Sequence, residues 1–115
     1  MRLAIVVLLL VAASPAFAQS GPSFDCAKAD NAIDRAICKE PELAKADREM
    51  AAVYGALLGK LNAVAKDELV KDQVRWIGNR NRACRADAAN VEDCLKNRYA
   101  AVSYTHLTLP TIYSV

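Results

Sequence analysis

Apolar and polar positions alternate with a helical period through most of this chain. Ile33, Ala36 and Ile37 fall on one face, so residues 31–38 read as a short helix. "KEPEL" interrupts it. Pro41 cannot continue that helix, but it suits the first turn of the next, where Glu42 meets the positive end of the helix dipole. From Pro41 to about Ala65 the apolar positions are Leu43, Met50, Val53, Tyr54, Leu57, Leu58, Leu61 and Val64, which predict one amphipathic helix of about six turns. Gly55 and Gly59 lie inside it, either to admit a neighbouring helix or merely tolerated. "KDE" starts or continues a third helix whose inner face carries Leu69, Gln73, Trp76, Ile77, Arg80 and Cys84. Its outer face carries Lys71, Asp72, Arg75, Asn79 and Arg82. "RADAAN" turns the chain, with Asn90 as a candidate N-cap. A last helix holds Val91, Cys94, Leu95, Arg98 and Tyr99. The expected fold is all-α: a small bundle of about four helices.

The ends of the chain differ from its middle. Residues 1–18 have a basic start at Arg2, the apolar run "LAIVVLLLVAA" and the small-x-small site "AFA". They read as a secretory signal peptide cleaved between Ala18 and Gln19, with an apolar run too short for a permanent membrane span. The first cysteine is Cys26, after "SFD", not directly after the cleavage site. The expectation is a soluble periplasmic or secreted protein without a lipid or other membrane anchor. "QSGPS" then reads as a loose leader.

Residues 102–115, "VSYTHLTLPTIYSV", contain no Lys, Arg, Asp or Glu. The stretch is rich in Thr and β-branched residues, which alone suggest an edge strand or a loose tail. It also resembles, codon by codon, the translation of a transposon-end adapter used in preparing sequencing libraries. It is therefore expected to be a non-native tail, His106 included. The domain would occupy residues 19–101, with its native C-terminus missing.

Arg2 apart, fourteen basic residues face thirteen acidic ones. This balance supplies no global drive toward nucleic acid or an anionic membrane. The stretch "QVRWIGNRNRAC" does concentrate Arg75, Arg80 and Arg82 around the only tryptophan. At helical spacing it splits, with Trp76 turned inward and Arg75 and Arg82 outward. Nucleic-acid binding would want aromatics exposed beside the basic residues. Arg80 on the inner stripe needs an acid or carbonyls around it. Asp47, on the stripe of the preceding helix, is the candidate, unless Arg80 only snorkels at the core edge.

Four cysteines in an exported chain read as two disulfides. A zinc site is disfavoured, because no pair has close ligand spacing. The helical layout favours Cys84–Cys94 across the last reversal. It favours Cys26–Cys38 at the start, provided residues 26–38 are not one straight helix, which would part them by about 18 Å. Other pairings would staple the chain ends together.

"FDCAKADNAIDRAICKEPELAKADREMAAVYGALL", "QVRWIGNRNRAC" and "DCLKNRYAA" together resemble the LprI-type lysozyme-inhibitor domain, over nearly all of residues 19–101. The matching positions include Asp47, Tyr54, Gln73, Trp76, Arg80 and Tyr99 beside the four cysteines. The resemblance implies a helical, disulfide-containing exported domain and, more distantly, binding and blocking of a lysozyme. An inhibitor of cationic lysozymes should present acidic groups. Here Glu40, Glu42, Asp47 and Glu49 are interleaved with Lys39, Lys45 and Arg48. The alternative is an envelope protein-interaction module with another, unidentified partner. An enzyme is not expected. No Ser-His-Asp set, phosphate-cradling glycine loop or metal cluster is present, and Asp47 and Glu49, two apart, point to different helix sides. No cofactor and no metal are called for.

Overall fold

The computed structural model describes residues 21–113, with side chains described through residue 102. The signal peptide expected at residues 1–18, and the Ala18/Gln19 cleavage pair, lie outside the described residues. Four α-helices follow one another: α1 (Ala32–Lys39), α2 (Pro41–Leu58), α3 (Ala63–Ala86) and α4 (Val91–Tyr113). Short 3-10 turns at Cys26–Lys28 and Ala88–Asn90 precede α1 and α4. No strand occurs among the described residues.

Local chemistry sets the boundaries. The Asn31 side chain accepts from the Asp34 backbone N–H at 2.9 Å and caps α1. That helix buries Ile33 and Ile37, one turn apart. It ends at Glu40, whose extended backbone is what a residue preceding proline prefers. Pro41 then opens α2 with no N–H to orphan.

α2 is shorter than its apolar pattern suggests. It ends at Leu58, with Gly59 as C-cap donating its N–H to Gly55 O at 3.3 Å. The Asn62 side chain accepts from Ala65 N at 2.9 Å and starts α3. One expected helix to residue 65 is thus two: α2 closes at Gly59 in an ordinary right-handed conformation, and an asparagine cap starts a new helix inside the apolar stripe. The far end of that stripe is not core: Val53 is 42% and Val64 76% exposed. Nothing lies within 4 Å of a Cβ built on Gly55, and Gly59 would meet only backbone at ordinary contact distance. Neither glycine serves a close helix approach.

The first half of α2 packs on α1 and α4, and α3 packs on α4, while α2 and α3 approach each other little. The core joins Ile33, Ile37, Leu43, Met50, Cys84, Leu95, Tyr99 and Val102, with Trp76 half-buried against it. Leu95, Tyr99 and Val102 repeat at helical spacing along α4. That helix runs on through residues expected to form a non-native tail, and Val102, the first of them, is buried. Asn90 is the last residue of the 3-10 turn and its amide donates to Asp87 Oδ1 at 3.3 Å.

Both disulfides join the pairs the helical layout favoured: Cys26–Cys38, Cα atoms 5.9 Å apart, and Cys84–Cys94, 5.5 Å apart. The first is possible because residues 26–38 are not one helix. A 3-10 turn capped by Asp25 breaks off at Ala29 before α1 begins. The second closes the α3–α4 reversal, with Cys84 fully buried.

Candidate functional site

Among the described residues two charged side chains are buried: Asp47, 3% exposed, on α2 and Arg80, 6% exposed, on α3. A charge taken out of water needs partners, since desolvation costs several kcal/mol per ion. The phenol of Tyr99, from α4, links the two. Its hydroxyl donates to Asp47 Oδ1 at 2.7 Å and accepts from Arg80 Nη1 at 2.8 Å. The expected Asp47–Arg80 pairing is therefore realised through Tyr99 and not by direct contact. Arg80 does more than snorkel: its Nε and Nη2 both donate to Asn81 Oδ1, at 2.9 and 2.8 Å. Its guanidinium also lies 5.5 Å from the Trp76 ring centroid and 5.8 Å from that of Tyr99. The two rings meet edge-on at 5.2 Å.

The other Asp47 oxygen faces the N-terminal segment. Oδ2 accepts from the Ser23 backbone N–H at 2.7 Å and from its hydroxyl. Arg48 Nη1 donates to Gly21 O at 2.7 Å. Residues 21–23, the described part of the segment read as a loose leader, are thus tied down across α2, and Phe24 packs on the core. Ser23 and Asn81 are the members of the network that sequence reasoning missed. Neither belongs to a periodic apolar stripe. Ser23 is brought to Asp47 by a chain path that the Cys26–Cys38 bond pins.

Burial, first of all, pushes the Tyr99 hydroxyl well above its ordinary pKa of 10.0. Arg80 pulls it down, and the Asp47 charge and hydrogen bond push it further up. Tyr99 stays a neutral bridge that donates to a carboxylate and accepts from a guanidinium. It tethers three helices and has no proton to exchange near neutral pH.

Because α2 and α3 diverge, a groove of about 380 Å³ lies between them. Asp47, Met50 and Arg80 form its buried lining. Ala51 and Tyr54 line it from α2; Gln73, Val74 and Ile77 line it from α3. Ser23, Phe24 and Asp34 also line it. Of the residues singled out in the sequence, the groove gathers Asp47, Tyr54, Gln73 and Arg80. Trp76 and Tyr99 are not among its lining; they pack against Arg80, and the cysteines hold the ends of the domain. The Gln73 amide contacts Met50 Sδ at 3.7 Å, a weak acceptor. Val74 is 66% exposed.

Among the described residues, no group of three or more His, Cys, Asp or Glu could hold a metal ion. No described helix is long and apolar enough to cross a membrane.

A family model described as "Lysozyme inhibitor LprI" matches residues 25–112. No curated protein and no solved structure matches the chain.

Proposed function

The chain belongs to the LprI lysozyme-inhibitor family, and on that premise we propose that it is an exported, non-catalytic protein that binds and blocks a lysozyme. The observation that carries this reading is the family match across residues 25–112, which spans all four helices and both disulfides. The site chemistry is compatible with it. Asp47, Tyr99 and Arg80 satisfy one another and are tied to the backbone and to Asn81. Such a network suits a rigid binding surface, pre-organised at little further entropic cost. It suits acid–base catalysis poorly, since the bridging phenol holds its proton. In this reading residues 1–18 direct export and are removed, and the mature chain acts in the periplasm or outside the cell without a cofactor.

The test is a lysozyme activity titration with the oxidised chain from Gln19, against animal-type and phage-type lysozymes. Stoichiometric loss of activity for one class is the expected result. No inhibition by a chain that still unfolds cooperatively would sink the reading. An envelope interaction module with a different partner would take its place, to be identified as a complex from an envelope extract.

A further inference from the structure

We infer that the α2–α3 groove is the surface that engages lysozyme, and that it receives a long basic side chain of that partner. The inference rests on the inhibitor reading and adds which face binds and what it binds.

Three observations point there. The first is charge. Two carboxylates, Asp34 and Asp47, and one guanidinium, Arg80, line the groove. Arg80 and Asp47 offset each other through the Tyr99 hydroxyl. Asp34 bonds to Asn31, through its side-chain oxygen and its backbone N–H. It has no salt bridge among the described residues, so the groove carries a net negative charge at its half-buried edge. The second is shape and polarity. Met50, Val74 and Ile77 offer an apolar wall for a methylene stem, Tyr54 offers an aromatic face, and Gln73 offers an amide held against nothing stronger than a thioether. A Lys or Arg side chain has this composition: an apolar stem with a charged head. The third is the rest of the surface. Arg82 and Arg85 are exposed elsewhere on α3 and would repel a cationic partner. The groove offers such a partner a carboxylate and an uncovered valine away from those two arginines.

The test uses the oxidised chain and a cationic animal-type lysozyme. Wild type is compared with Val74→Lys, Asp34→Asn and Arg82→Glu. Val74 is 66% exposed, so lysine there leaves the fold intact; cooperative thermal unfolding of each variant verifies this. The expected result is an inhibition constant raised about tenfold or more by Val74→Lys and by Asp34→Asn. Arg82→Glu should leave it unchanged or lower, and wild-type affinity should fall with added salt. Full inhibition by folded Val74→Lys and Asp34→Asn chains would overturn the groove assignment and leave the inhibitor reading standing. The groove assignment also falls if Val74→Lys abolishes self-association in sedimentation without touching inhibition, for then the groove holds a second copy. No inhibition of this lysozyme by folded wild type overturns the groove assignment, and no inhibition of the phage-type enzyme either removes both proposals together.

Discussion

Tyr99 decides most at the scale of single residues. Its hydroxyl is the only described link between the buried Asp47 carboxylate and the buried Arg80 guanidinium. Tyr99→Phe leaves one acceptor and one donor position unfilled in the interior, and should cost about 2–4 kcal/mol in urea unfolding at pH 7. A loss below about 0.5 kcal/mol would mean that water replaces the hydroxyl at no cost. The raised pKa adds a pH signature. In the unfolded chain Tyr99 releases its proton near its ordinary value of 10.0, while in the folded chain it keeps it. Above that pH the native state holds more protons than the unfolded state, so stability falls as pH rises. Its contribution is fully present below pH 10 and drains away above it. Unfolding measured between pH 9 and 10.5 should show a steeper decline in wild type than in Tyr99→Phe. Parallel slopes would place the phenol in water.

Among the elements, α2 shows how far a hydrophobic pattern can be followed. Leu43, Asp47 and Met50 are buried as their spacing implied, yet the stripe continues in sequence past the place where the helix has neighbours. Val53 and Val64 keep the period and lie exposed because no other helix covers them. Gly59 and Asn62 then end one helix and begin the next. Both signals were legible, but apolar periodicity alone passes over them. Gly55 sits in a helix interior with open space at its Cβ position. Gly55→Ala should therefore raise stability by about 0.5–1 kcal/mol, read as a higher urea midpoint at unchanged m-value. A loss would place a neighbour against that face. Asn62→Ala removes the α3 cap and should cost about 1 kcal/mol, checked in the same assay.

Across the whole molecule, burial and cross-links act together. A core of this size gives a marginal domain. The disulfides close loops of 12 and 10 residues in sequence separation. Each is worth about 2–4 kcal/mol, chiefly by restricting the unfolded chain. Thermal melting with a strong reductant should fall markedly, and equal melting with and without it would sink the staple argument. The C-terminal boundary is a second matter at this scale. Val102 is 6% exposed within the core. A chain ending at Val102 should match the melting temperature of the longer chain, if the residues after it are foreign to the domain as their composition suggests. A chain ending at Ala101 should melt lower, by the burial of one valine, about 1.5–3 kcal/mol. Equal melting of both truncations would show that Val102 packs only incidentally.

The sequence by itself determined the helical class, the approximate positions of the helices and the inward turn of Trp76 and Arg80, and it favoured the two cysteine pairs over the alternatives. These follow from local rules: a 3.6-residue period, proline at a helix start, and the short reach of a disulfide. Its resemblance to the family singled out Asp47, Tyr54, Gln73, Trp76, Arg80 and Tyr99, and the helical stripes offered Asp47 as the acid for Arg80, without showing how they meet. Only the tertiary structure decided that Tyr99 stands between Asp47 and Arg80, that Ser23 closes the network, and that α2 and α3 diverge to leave a groove. The crossing of three helices sets those contacts, and residues 52 positions apart in sequence meet at 2.7 Å there. The periodicity of one helix says which face is buried; it carries no information on which atom of another helix will be found against it.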